Sequence, residues 1–224
     1  MNMDKNEDEA VRLLEGGKLR QAERILKKML AVESNCLAAH FHLSRVYRRT
    51  QEYELALCHA RRTLRLNPEE PNACLNLGLI YDELGRDSLA ISYYKRELSR
   101  NASSAETLWN IGRIYFKKHQ WLRAAKYLHR CFDLGFKPDL EDTVDKLGMC
   151  YHKLHDVRSY IELFTRYVQM FPNAGWAFVN LGRALLFVND YKSATLRLST
   201  AKRLGHGKIV GTELARAKQM MSRS

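Results

Sequence analysis

Between Asn72 and Leu84 the apolar residues fall at Leu75, Leu77, Leu79, Ile80, Tyr81 and Leu84. That spacing predicts a helix with apolar flanks on two sides. Gly85 is placed to stop it, since glycine adopts the left-handed conformation just past a helix end. Asp87 is the expected N-cap of a second helix. Leu89, Ala90, Ile91, Tyr94 and Leu98 give that second helix its buried face. Gly78 and Ala90 are small where the paired helices must approach. One such hairpin cannot cover its own apolar surface, so it has to stack on neighbours.

The neighbours are present in the sequence. The block Pro71–Ser104 is 34 residues long, and so is Leu37–Glu70 before it. Leu77-Gly78, Tyr81 and Ala90 answer Leu43-Ser44, Tyr47 and Ala56 at the same offsets. Further blocks occupy 3–36, 105–138, 141–174 and 175–208. Asp139 and Leu140 form an insertion after Pro138, where a longer next helix or a shifted helix start is expected, together with a change of pitch. The fifth block departs from the pattern at Tyr160, where alanine belongs, so a local packing distortion is expected there. Residues 209–221 read as a final helix covering the last apolar face, and 222–224 as a frayed tail.

This pattern of a Leu-Gly pair, an aromatic, a small alanine and a late proline resembles the tetratricopeptide repeat. The resemblance implies an all-α fold: a right-handed α-α superhelix of six helical hairpins plus a C-terminal capping helix. It also implies a non-enzymatic protein–protein interaction scaffold whose concave groove, lined by the first helices, binds a peptide segment.

Composition narrows the class. Hydrophobic residues make up 46 % and no apolar run of membrane-spanning length occurs. The opening MNMDKNEDEA is acidic, unlike a secretory leader, which points to the cytoplasm. Five cysteines, an odd number without a CxxC pair, argue against a disulfide framework. Net charge is +12, with 7 basic against 3 acidic residues in 105–140 and 9 against 2 from Gly175 onward. An acidic partner segment follows from that excess, with RNA as the alternative polyanion.

Candidate groove residues come from helical spacing. The sixth position of blocks two to six reads His42, Asn76, Asn110, Lys146 and Asn180. Asparagine is a poor mid-helix residue, and an amide row is suited to holding a peptide backbone. It is similar to the asparagine ladder of O-linked N-acetylglucosamine transferases. The ninth position reads Arg45, Leu79, Arg113, Met149 and Arg183, with arginine forks suited to carboxylates. The fifth position offers Trp109 as an apolar anchor. The carboxylate clamp of some family members is not expected, because only Arg45 and Asn76 suit it and Glu106 opposes it. No catalytic, metal or cofactor site is expected: His40/His42 and His152/His155 lack further ligands at metal-site spacing.

Overall fold

A computed structural model describes residues 3–135 and 140–222. The described residues form thirteen α-helices. They are α1 (Met3–Glu15), α2 (Leu19–Val32), α3 (Leu37–Arg49), α4 (Tyr53–Leu66), α5 (Ala73–Glu83), α6 (Asp87–Arg100) and α7 (Ala105–Lys117), followed by α8 (Trp121–Asp133), α9 (Leu140–Lys153), α10 (Val157–Met170), α11 (Gly175–Phe187), α12 (Tyr191–Ala201) and α13 (Gly207–Met221). A π-helical turn, Lys202–His206, joins the last two. The all-α tetratricopeptide solenoid expected from the repeats is the fold observed. Packing divides it into two compact units, Met1–Ile111 and Gly112–Ser224, with the division inside α7.

In the first unit, each odd-numbered helix pairs with the next even-numbered one. First helices also touch one another, α1 against α3 and α3 against α5. Second helices pack mainly on the first helix that follows, through α2–α3 and α4–α5. The first helices thus form the tighter layer and the second helices the outer one. The second unit repeats the plan with α9–α10 and α11–α12, and α13 lays Val210, Leu214 and Ala217 against the end.

The hairpins turn by one device. A residue with positive φ follows each first helix at Gly17, Gln51, Gly85, His119, His155 and Asn189. In each case the next backbone N–H reaches five residues back, as Arg86 does to the Tyr81 carbonyl at 2.8 Å. This is the Schellman closure of a helix end. Gly85 was legible in that role; Gln51 and the two histidines were not. The N-cap of α6 is Arg86 and not Asp87, which is the first helical residue. Capping by aspartate occurs instead at Asp156 and Asp190, which accept from the backbone N–H groups of Ser159 and Ser193.

Contact within hairpins explains the small residues. A Cβ on Gly112 would lie 2.7 Å from Leu128, and one on Gly182 would lie 2.6 Å from Leu198. The pattern tyrosines link successive hairpins. Tyr47 donates to Glu23 at 3.0 Å, Arg61 donates to the Tyr81 hydroxyl at 2.8 Å, and the Tyr151 hydroxyl lies 2.7 Å from His129 Nδ1. The insertion is described only from Leu140, the first residue of α9; Pro138 and Asp139 lie outside the described residues, as do 223 and 224 of the tail. The capping helix begins at Gly207, two residues before the expected start.

Candidate functional site

The sixth-position row does not form one continuous display. On α3, α5 and α7, His42, Asn76 and Asn110 are 7 %, 5 % and 4 % exposed. Each has a polar atom engaged within the protein, although His42 Nδ1 is buried without a hydrogen-bond partner. Asn76 Nδ2 donates to Ser44 Oγ, Asn110 Nδ2 donates to the Glu106 carbonyl at 3.0 Å, and His42 Nε2 sits 3.4 Å from Glu7. Close stacking of α3 and α5 covers this position on α5, so the Asn76 amide meets a neighbouring helix before it meets solvent. On α9, Lys146 pairs with Asp142 and lies 5.7 Å from the Phe116 ring.

The other groove candidates vary. Arg45 is half-buried above Phe41, at 5.8 Å from the ring. Burial, then the neighbouring Arg48, lowers its pKa, while Glu15 and Glu106 counter the shift. Leu79, Trp109 and Arg113 are half-buried. Arg183 on α11 grips one carboxylate oxygen of Glu213 on α13 with Nε at 3.0 Å and Nη2 at 2.9 Å.

Asn180 and Arg183 are the two candidates that line an open cleft. It has a volume of about 340 Å³ and lies between α9, the start of α10 and α11. Tyr160, His152, Val157 and Phe187 complete its walls. A second opening of about 290 Å³ shares Tyr160, His152 and Asn180 with it and is lined also by Met149 and Lys153. The cause is the pattern departure at Tyr160. Equivalent positions Ala56, Ala90, Ala124 and Ala194 are fully buried. The larger ring stands between the helices and packs against Phe164, tilted by 40° with ring centroids 4.6 Å apart. The hairpin is correspondingly looser, and a Cβ on Gly148 would be 3.0 Å from Phe164. Burial pushes the Tyr160 phenol up to about 12, with Asp145 adding to the shift and Arg183 opposing it.

The sequence flagged Tyr160 as a distortion but not as the maker of a site. Phe187, 75 % exposed at the end of α11, was missed as well. An aromatic at a position that elsewhere holds alanine was the available signal.

Cys36, Cys74, Cys131 and Cys150 are buried, and only Cys58 is exposed. Burial pushes the Cys150 thiol up to about 12. Among the described residues, no group of three or more His, Cys, Asp or Glu side chains is placed to hold a metal ion. No described helix is long and apolar enough to cross a membrane.

Comparison with known proteins agrees with this architecture. The tetratricopeptide repeat family model matches residues 7–60 and 45–106. The C-terminal part of a TPR repeat-containing protein from Cytophaga hutchinsonii superposes with a TM-score of 0.71 at 19 % identity, over 94 % of this chain and 84 % of that one. YrrB, described as a TPR protein with an unusual peptide-binding site, gives 0.62 at 17 % identity, over 85 % of this chain and 97 % of that one. Human protein O-mannosyl-transferase TMTC1 is 26 % identical over an alignment of 149 residues that covers 63 % of this chain. The match takes in only 17 % of that protein's length. Repeat spacing, hairpin geometry and these likenesses agree: the chain is a tetratricopeptide repeat protein.

Proposed function

We propose that this protein is a non-enzymatic cytoplasmic scaffold that takes up a peptide segment of a partner protein. The second unit's cleft beside Tyr160 is the seat of that segment. The observation that carries the reading is the coincidence of two sequence-derived groove residues, Asn180 and Arg183, with the opening made by Tyr160. Val157 and Phe187 offer an apolar wall for one partner side chain. Asn180 supplies an amide that can both donate to and accept from a peptide backbone. Arg183, held by Glu213, fixes the rim and favours a segment carrying carboxylates. A pre-formed wall of this kind reduces the ordering cost of binding. YrrB is described as having a peptide-binding site, which gives the reading a precedent within the same fold.

The test is selection of peptides from a random display library on the intact chain. Affinities of the selected peptides are then measured for Asn180→Ala combined with Phe187→Asp. At least a tenfold loss at unchanged helicity is expected. Selected peptides that bind this variant as tightly as the parent would rule the cleft out.

A further inference from the structure

The charge of the chain separates by helix type, which the block-by-block count concealed. The six first helices of the hairpins carry 10 Lys or Arg against 11 Asp or Glu, whereas the six second helices carry 17 against 6. In the first unit the excess is also in register. Lys28 on α2, Arg62 on α4 and Arg96 on α6 are spaced by 34 residues, and Lys27, Arg61 and Lys95 precede them at the same spacing. Each second helix therefore presents two adjacent cations at the same height. Because α2, α4 and α6 form the outer layer of this unit, these pairs stand as three rungs on its outer side.

Their neutralisation is slight. Lys27 is paired with Glu23 at 2.7 Å and keeps 60 % of its side chain exposed. Arg62 donates to the side-chain oxygen of Asn35, and Arg61 to the Tyr81 hydroxyl, both neutral partners. Lys28, Arg61, Lys95 and Arg96 are exposed. Glu97, adjacent to Arg96 in sequence, contributes nothing to the surface. It is 3 % exposed, and its carboxylate accepts from the Leu75 backbone N–H at 3.3 Å. The sequence count thus understates the positive charge that a partner meets.

We infer that the outer layer of the first unit, through the Lys27/Lys28, Arg61/Arg62 and Lys95/Arg96 rungs, is a docking surface for an extended acidic polypeptide segment. Charge complementarity sets the sign of the partner. The form of the wall sets its class. Every aromatic residue described in this unit is buried or half-buried, so the wall offers no stacking platform for the bases of a single strand. Successive second helices are not packed against one another, so they lie somewhat more than one helix diameter of about 10–12 Å apart. An extended chain advances about 3.3–3.6 Å per residue, so a segment of about ten residues passes all three rungs. Guanidinium and ammonium groups on long stems then reach its carboxylates without a pocket for any particular side chain. This surface is separate from the cleft beside Tyr160, and either can stand without the other.

The experiment uses the full chain and three labelled probes: a glutamate-rich peptide of about ten residues, an oligouridine of similar length, and phosphatidylserine vesicles. Fluorescence anisotropy or co-sedimentation reads binding at two salt concentrations. The peptide is expected to bind best. Lys28→Glu/Arg62→Glu/Arg96→Glu should weaken it at least tenfold and flatten its salt dependence, with helicity unchanged. If that variant loses helicity, Lys28→Gln/Lys95→Gln takes its place, with a smaller loss expected. Lys202→Glu/Arg203→Glu, on the π turn of the second unit, should leave peptide affinity within twofold. Absence of peptide binding, equal losses in the rung and π-turn variants, or tighter binding of oligouridine or vesicles would each overturn the inference.

Discussion

Ser44 on α3 is fully buried, and its hydroxyl receives a hydrogen bond from the side-chain amide of Asn76 on α5, one repeat away. The same hydroxyl donates to the Phe41 carbonyl at 2.6 Å. Ser44 occupies the position held elsewhere by Gly78, Gly112, Gly148 and Gly182. Its polar atom is therefore answered by the asparagine that sequence reasoning had assigned to ligand binding. Asn76→Leu should destabilise the protein by about 1–3 kcal/mol, because the buried hydroxyl of Ser44 loses a partner. In the Ser44→Ala background the same substitution should cost less than it does alone, as pairs that share a hydrogen bond are non-additive. Urea unfolding of the double-mutant cycle measures this. Additive effects would show that the two residues act separately.

The α3–α4 hairpin holds a histidine pair that confers a pH dependence. His40 Nε2 lies 3.1 Å from the Ser34 carbonyl, so that nitrogen carries the proton and Nδ1 is the acceptor. His59 Nδ1, at 2.8 Å, must then be the donor. Both rings are neutral in this arrangement. Burial, then His40, then Lys27 hold the His59 pKa down at about 4. Burial likewise lowers His40, with Arg62 adding to the shift and the Ser34 carbonyl opposing it. The unfolded chain protonates at the usual 6.5. Between about 4 and 6.5 it binds more protons than the folded protein does, so the pair's contribution is complete above 6.5 and declines as pH falls toward 4. The thermal midpoint should drop across that window, and His59→Leu should flatten the drop. An equal slope in wild type and variant would place the pH sensitivity elsewhere.

What the sequence disclosed follows from what a periodic pattern encodes. Leu43, Leu77, Ile111, Leu147 and Leu181 recur because each is buried in its hairpin, and that recurrence was enough to place the helices. Asn76 and Asn110 were misassigned because helical spacing places a residue on one helix's face without revealing the distance to the next helix. That distance depends on Ser44 against glycine and on Tyr160 against alanine. The basic rungs were overlooked for a related reason. Counting charge by block mixes inner and outer helices, and Glu97 counts as surface charge until its burial is known.

One turn conformation can be improved by substitution. Gln51 has φ of 64°, the left-handed conformation that Gly17 and Gly85 hold at the equivalent turns. A side chain there is strained, whereas glycine enters the region freely. The gain is partly offset by the greater entropy that glycine gives the unfolded chain. Gln51→Gly should therefore stabilise the protein by about 0.5–1 kcal/mol. Gln51→Ala, which keeps a Cβ, should not. Thermal unfolding distinguishes the two, and a Gln51→Gly protein no more stable than Gln51→Ala would show that the turn is unstrained.

Tyr160 raises the opposite question, whether restoring the pattern residue helps the fold. Alanine would match the rule followed by the other hairpins and remove the wedge between α9 and α10. Against that, the Tyr160 ring is half-buried and packed against Phe164 at 4.6 Å, beside Gly148. Deleting it from a hairpin already fitted around it leaves a void that Phe164 cannot fill without moving the backbone. Full burial of an aromatic ring is worth about 3–5 kcal/mol on truncation, so a half-buried one should lose about 1–2 kcal/mol. Tyr160→Phe keeps the ring and removes only the hydroxyl, so it should fall within about 0.5 kcal/mol of wild type. The two variants also separate packing from recognition. Tyr160→Ala should weaken a cleft-bound peptide, and Tyr160→Phe should do so only if the hydroxyl meets the peptide. A Tyr160→Ala protein more stable than wild type would mean that the wedge is strain retained for the cleft rather than part of the packing.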